Sequence, residues 1–332
     1  PAYEAWKRDL VTKALAGHGL VPEVAPLFAC APGARRRLVM TARRTTSGIL
    51  LGFNEVGSHK IVAIDTCVIA DPRIVANLTA LRAVAAAVCA TPRPFRLTVL
   101  ASETGLDIAA EDAGRLSERQ RQRAVETILR EKAIARLTVD GDILIEARKP
   151  ALPFGGVAVV PPLGGFVQAS AIAEGHMAEL ALTHLAGCRR VADLFAGSGA
   201  FALNLARQSA VHAVESDAAA LAALDTAARH ASGLKPVTIE RRDLFRRPLM
   251  AAELKRFDGA VFDPPRAGAE AQAREIARAA LKRIAAVSCN PTTLARDLDI
   301  LTGAGYRIDA VHPIDQFLWS PHVEAVALLS RD

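Results

Sequence analysis

From residue 191 onward the chain alternates short apolar strands with helical stretches, and that rhythm leaves few folds open. Val191–Phe195, Val211–Glu215, Val237–Glu240, Gly259–Asp263 and Ile284–Ser288 each read as a strand followed by helix-period sequence. Such alternation specifies a parallel, doubly wound sheet with helices on its faces. Two last strands, Tyr306–His312 and Val323–Leu329, have no full helix between them, so one of them should run antiparallel. A helix over 169–186 precedes the series. The expected fold is α/β and Rossmann-like, a seven-stranded, mostly parallel sheet with one antiparallel strand.

The first half lacks this rhythm. Strands are expected over 36–42, 48–54, 96–102, 105–109, 134–139 and 142–146, with helices over 3–19, 72–89 and 117–130. Asp71 caps the second helix with Pro72 behind it, and Asp140-Gly141 marks a hairpin. The Pro/Gly-rich segment 150–165 reads as a linker. Two domains follow: a smaller α+β domain over 1–160, which carries most of the arginine clusters and is expected to contact nucleic acid, and a catalytic domain over 161–332. A chain of 332 residues suits that number.

Hydrophobic residues make up 51% and charged ones 23%, enough apolar material for a large core. No apolar run approaches the about 20 residues of a membrane span. Five cysteines, an odd number without close pairs, argue against a disulfide framework and for a reducing, cytoplasmic setting. The formal net charge is only +6, but arginines cluster at Arg35-Arg36-Arg37, Arg43-Arg44, Arg115 to Arg123, and Arg241-Arg242 with Arg246-Arg247. Guanidinium forks match phosphate, which suits a nucleic-acid partner; solvated faces give the same runs.

Chemistry gathers at the carboxyl ends of the expected strands, where ligands bind open α/β sheets. Asp193-Leu-Phe195-Ala-Gly197-Ser-Gly199 follows the first strand, its glycines permitting a tight turn and close ligand approach. Glu215 closes the second strand, positioned to accept ribose hydroxyls, and Asp243 closes the third, beside an adenine amino group. These features suit a nucleoside cofactor, and NAD as well as S-adenosylmethionine. Asp263-Pro264-Pro265-Arg266 closes the fourth, since proline cannot continue a central strand. Cys289 closes the fifth, with Asn290 as a helix cap and Pro291 at the first helical position. A helix amino end and Arg296 a turn further in would both favour its thiolate. A cysteine after an apolar run is commonly packing; on this rim it becomes a candidate nucleophile. Thiolate attack on carbon 6 of a pyrimidine makes carbon 5 able to take a methyl group. Glu324, at the start of the last strand, is the candidate base for the proton then left on carbon 5.

DLFAGSGAF, FDPPRAG, SCNPTTLARDL and HVEAVALL, in that order and at comparable separations, resemble the motif set of the bacterial RNA 5-methyluridine (uracil-C5) methyltransferases. The cysteine and HVE motifs are specific to that family; the glycine loop is shared widely. The resemblance implies a class I S-adenosylmethionine methyltransferase domain acting on RNA, ribosomal in preference to transfer RNA, as a monomer. It implies Cys289 as nucleophile, Glu324 as base, Asp263 at the target uracil, and Arg296 in support. Gln168, Phe195, Gly197, Gly199, Glu215, Asp243 and Asp263 fall at cofactor-binding positions. Ser170 and Ala196 depart from the family's usual Asn and Cys. Many members begin with an RNA-binding barrel, the TRAM domain, and three cysteines of an iron–sulfur cluster. Tyr3-Glu-Ala-Trp6-Lys7 resembles the sequence after those cysteines, and Cys67 the fourth ligand. The expectation is a chain lacking that region, holding no metal here, with a [4Fe-4S] cluster only in a longer chain. The alternatives are an NAD-binding Rossmann oxidoreductase, which leaves the DPPR and HVE motifs unexplained, and a catalytically weak RNA-binding fragment.

Overall fold

A computed structural model describes residues 1–331. The chain packs as two compact units: one comprises Pro1–Cys30, Pro153–Val159 and the chain from Ile172 on, the other Ala31–Leu152 and Val160–Ala171. A single cut near residue 160 therefore does not separate them. The reason lies in the first helix, α1 (Ala2–Ala16), which buries Lys7, Val11 and Leu15 at a four-residue spacing, on one face. That face packs into the core of the unit built by the second half of the chain. A two-residue strand, β1 (Phe28–Ala29), follows α1.

The second unit is a seven-stranded sheet with helices. In chain order it contains β2 (Arg37–Thr45), β3 (Gly48–Asn54), β4 (Ile61–Ala63), α2 (Pro72–Val75), α3 (Leu78–Val88), β5 (Phe95–Ser102), β6 (Gly105–Glu111), α4 (Glu118–Arg130), β7 (Ile134–Val139) and β8 (Asp142–Glu146). Its order is β4-β3-β2-β5-β6-β7-β8, antiparallel except for β6 and β7. α4 makes that one parallel crossover, and starts where Ser117 and Gln120 cap each other reciprocally. The helix expected over 72–89 is two helices. Asn77 Nδ2 donates to the Arg73 carbonyl at 2.7 Å, diverting a backbone acceptor and breaking the run.

The remaining elements are the hairpin β9 (Leu152–Phe154) and β10 (Val157–Val159), then α5 (Ala171–His184), β11 (Arg190–Leu194), α6 (Ala202–Leu205), β12 (Ala210–Glu215), α7 (Ala218–His230), β13 (Val237–Arg241), α8 (Ala251–Leu254), β14 (Gly259–Phe262), α9 (Glu270–Ala279), β15 (Arg283–Ser288), α10 (Pro291–Gly303), β16 (Arg307–Asp315) and β17 (Glu324–Ser330). The segment read as a linker thus carries a hairpin, turned at Gly155 and Gly156 with φ of 55° and 77°. No helix among the described residues is long and apolar enough to cross a membrane.

The large sheet runs β1-β16-β17-β15-β14-β11-β12-β13. It is the expected α/β, Rossmann-like sheet, seven strands with β17 alone antiparallel, plus the short β1 alongside β16. β11, β14 and β15 are sandwiched between neighbours, and their residues are almost uniformly buried, as parallel strands covered on both faces require. The antiparallel insertion has a positional consequence. Running against β15, β17 delivers its first residue to the carboxyl rim where the parallel strands deliver their last. Ser288 pairs with Ala325, so Cys289 and Glu324 are the next residues outward on adjacent strands.

Before it reaches Glu324, the chain crosses the end of α1. Lys7, fully buried, donates to Asp315 Oδ1 at 2.8 Å, to the Phe317 carbonyl at 3.1 Å and to the His322 carbonyl. All three ammonium protons are used, which is what makes a buried lysine tolerable. Breaking such a pair from one side costs about 3–5 kcal/mol.

Candidate active site

The rim is built by register. Leu194 pairs with Phe262 and Phe262 with Ala286, so Phe195, Asp263 and the turn at Cys289 emerge side by side. Glu215 closes β12 next to them. The structure therefore brings Asp193, Phe195, Glu215, Asp263, Cys289 and Glu324 together in one unit. Asp243 stands just beyond the end of β13, and Gln168 is carried by the other unit.

The glycine loop is a set of left-handed residues: Phe195, Gly197 and Gly199 have φ of 63°, 53° and 95°. Gly199 also needs to be bare, since a Cβ there would collide with the Leu224 side chain of α7. At Gly197 a Cβ would meet nothing within 4 Å, so that side of the loop is open. The loop is pinned by Glu215: Oε2 accepts from Gly197 N–H at 3.0 Å, while Oε1 accepts from the amides of Ser216 and Asp217 at 2.6 and 2.9 Å. Asp243 Oδ1 accepts from the amides of Phe245 and Arg246, at 3.0 and 3.3 Å. This turn sets the half-exposed Phe245 ring 5.4 Å from Phe195. Phe245 had no signal in the sequence beyond being aromatic.

Asp193 is fully buried, and its carboxylate makes no close hydrogen bond, the Ala202 backbone N–H being a donor that faces it. Burial, then the nearby Asp263, holds its pKa well above the ordinary range. A buried carboxyl left this way is poised for a cationic ligand.

Cys289 sits at the seam of β15 and α10. Asn290 Oδ1 accepts from Thr292 N–H at 3.2 Å, the expected cap, and Asn290 Nδ2 donates to the Arg266 carbonyl at 3.1 Å. Thr293 Oγ1 donates to the same carbonyl at 3.3 Å. The DPPR turn is thereby tied to the amino end of α10, fixing Asp263 and Cys289 relative to each other. The thiol itself is not pre-ionised. Burial, then Glu324 and Asp263, push its pKa up to about 11, against the expectation that helix end and Arg296 would favour thiolate. The reason is where the arginines go. Arg296 donates to Asp297 Oδ1 at 2.7 Å and the Ala267 carbonyl at 3.0 Å, and lies 3.5 Å from Glu270, bracing the DPPR turn from behind. The opposing cation at the thiol is Arg266. It stands inside the quoted FDPPRAG motif, but the sequence assigned it no part.

Glu324 is 2% exposed. Its Oε1 accepts from Gln316 Nε2 at 2.8 Å, and its Oε2 has no partner. Burial, then Asp263, raise its pKa to about 8, and the Gln316 hydrogen bond opposes the rise. Gln316 lies in a loop eight positions before Glu324, with no pattern to announce it.

A profile of the tRNA (uracil-5-)-methyltransferase family matches residues 111–332. The chain belongs to that family. Among relatives, an RNA methyltransferase of Agrobacterium fabrum is 56% identical over 99% of this chain and 79% of its own length. A 23S rRNA (uracil(1939)-C(5))-methyltransferase of Pectobacterium atrosepticum is 29% identical over 95% of this chain and 72% of its own. Of solved structures, the tRNA (uracil-54, C5)-methyltransferase of Pyrococcus abyssi, in complex with S-adenosyl-L-homocysteine, superposes with a TM-score of 0.77. It is 22% identical over 98% of this chain and 83% of that one, so it bears on the fold. The oxidoreductase alternative falls away with the family match.

Elsewhere in this methyltransferase the arginine runs are not uniformly free. Arg36 is buried and its Nε donates to the Gln168 carbonyl at 3.1 Å, and Arg242 is locked between Glu240 and Glu253 at 2.5 and 2.7 Å. Arg119, Arg121 and Arg123 on α4 are exposed. Among the described residues no three or more His, Cys, Asp and Glu gather as metal ligands. Cys67 alone does not fit a [4Fe-4S] cluster, which needs four thiolates.

Proposed function

We propose that the chain methylates carbon 5 of a uridine in RNA, with S-adenosylmethionine as donor and Cys289 and Glu324 as nucleophile and base. The observation that carries this reading is their register, a thiol and a buried carboxyl opposite each other on adjacent strands of the ligand rim. Residues of the rim fit the donor, a molecule with two positive centres and a purine. Asp193 offers a buried carboxyl short of hydrogen bonds, Gly197 an open backbone, and Phe195 and Phe245 an aromatic pair beside Asp243. Glu215 Oε2 accepts only one protein hydrogen bond and has capacity for a ribose hydroxyl. Gln168 is assigned to the methionine end through the family motif.

When bound, the donor supplies an electrophilic methyl group on a sulfonium cation. Cys289 Sγ forms a bond to carbon 6, giving carbon 5 the electron density to take that methyl. Asp263 accepts from the N–H edge of the uracil and keeps the ring over the thiol. Glu324 then removes the proton from carbon 5, the ring double bond re-forms, and the bond from sulfur to carbon 6 breaks. The Cys289 proton must leave before attack. A cation arriving on a rim crowded with Asp193, Asp263 and Glu324 lowers the cost of that ionisation. Since carbons 5 and 6 are stacked inside a duplex, the target is unstacked or in a loop.

The ribosomal preference rests on the likeness of Tyr3–Lys7 and Cys67 to cluster-bearing members and on the Pectobacterium relative. Transcripts of 23S rRNA and of tRNA, tritiated at uridine carbon 5, test it. Tritium should be released from the ribosomal transcript and not from tRNA; the reverse order contradicts the preference, and release from neither contradicts carbon-5 chemistry.

Glu324 works only when ionised. With its pKa at about 8, the elimination step, read as kcat, should climb from pH 6, reach half its plateau near pH 8 and level off about a unit higher. Gln316→Leu removes the hydrogen bond that holds the carboxyl down, so the climb should move to higher pH while activity on the alkaline plateau returns. An unmoved profile would show that Glu324 is not the titrating group.

A further inference from the structure

The loop between β16 and β17 holds a large aromatic side chain that neither the core nor the proposed chemistry uses. Trp319 is 61% exposed, and its backbone has φ of 57°, a left-handed conformation that bulky residues avoid. Among the described residues its indole makes no hydrogen bond or ring contact. The conformation is held, not incidental. Trp319 N–H donates to Tyr3 Oη at 2.9 Å, and Tyr3 Oη donates to the buried Asp315 Oδ2 at 2.6 Å. Asp315 is the partner of Lys7, whose ammonium also takes the Phe317 and His322 carbonyls on either side of Trp319. Ser320 Oγ donates to the Phe317 carbonyl at 2.8 Å, tightening the same turn.

So two residues of α1 and a buried ion pair maintain a strained backbone whose visible result is an indole aimed at solvent. Backbone strain that the surroundings over-determine points to function. The loop's position says which function: it begins at Gln316, which grips Glu324, and ends at Glu324 itself. For an RNA methyltransferase, what stands outside that carboxyl is the nucleotide next to the target.

We propose that Trp319 is a stacking platform for a nucleobase adjacent to the target uridine, held in place by Tyr3 and the Lys7–Asp315 pair. Every base has a face to stack, and an exposed indole on a fixed backbone offers the matching surface where unpaired RNA must be splayed open. The proposal takes from the functional reading only that Glu324 marks the target position.

The chain has two tryptophans, Trp6 and Trp319, so Trp6→Phe leaves Trp319 as the lone indole reporter. In the absence of methyl donor no turnover occurs, and the measurement is independent of the roles of Cys289 and Glu324. Titration with a short single-stranded RNA containing one uridine should quench the indole emission. The same RNA with abasic riboses beside the uridine should quench little and bind about 5- to 100-fold more weakly, the range set by one base–aromatic stack. Trp319→Gly should show the same loss with the intact RNA. Glycine adopts this φ freely, so its melting temperature should stay level or rise, which separates stacking from a structural role. Trp319→Phe should recover most of the affinity. Emission unchanged by RNA, or equal quenching by intact and abasic RNA, overturns the proposal. So does a Trp319→Gly protein that binds normally but no longer self-associates, which would make the indole a contact between copies.

Discussion

Cys289→Ala should abolish methyl transfer, lowering kcat by more than about 10⁴-fold. The size follows from the chemistry: without covalent addition at carbon 6, carbon 5 of uracil does not attract the methyl group. Fold stability should hardly change, because the thiol is half-buried and no hydrogen bond from its sulfur contributes to the seam. Asn290, Thr293 and Ser288 tie that seam instead. Methyl incorporation into RNA and a thermal melt of the same preparation check both halves. A folded variant with more than a hundredth of wild-type activity would remove Cys289 as the nucleophile, since general acid–base assistance alone is worth about 10²–10⁴-fold.

Glu324→Gln acts at the other end of the reaction. The amide keeps the shape and a partner for Gln316 but cannot accept a proton. Addition and methyl transfer should proceed, and elimination should stall, so covalently linked, already methylated RNA accumulates on denaturing gels. Turnover should fall about 10²–10⁴-fold, the usual weight of a positioned base. An adduct-free variant turning over at the wild-type rate would assign the proton to another group. Asp263, which raises the pKa of both Cys289 and Glu324, is the other carboxylate that acts on both.

The strand ends that carry the candidate residues were legible in the sequence, and the electrostatics around them were not. An apolar run ended by Asn-Pro fixed Cys289 at a strand end, and Asp-Pro-Pro fixed the end of β14, because caps and prolines act locally. The Gly48–Asn54, Ile134–Val139 and Asp142–Glu146 strands match their sequence bounds for the same reason. What failed depends on neighbours remote in sequence. The ionisation of Cys289 is decided by burial and then by Glu324 and Asp263; Asp263 comes from the neighbouring β14, and Glu324 meets the thiol only because β17 inserts antiparallel between β15 and β16. Arg296 is held by Asp297 beside it and by the Ala267 carbonyl at 2.7 and 3.0 Å, with Glu270 of α9 at 3.5 Å. Nothing in the helical spacing over 3–19 marks Lys7 for burial, and only Asp315, 308 positions on, explains it.

The measurement that most directly tests the central claim uses RNA transcribed with 5-fluorouridine. Fluorine at carbon 5 cannot leave as a proton, so addition and methyl transfer occur but elimination cannot. With methyl donor present, the wild-type protein should form a persistent RNA adduct. Proteolysis and mass spectrometry should place the modified nucleotide on the peptide containing Cys289, and Cys289→Ala should form none. An adduct that survives in Cys289→Ala, or maps to another residue, contradicts the account.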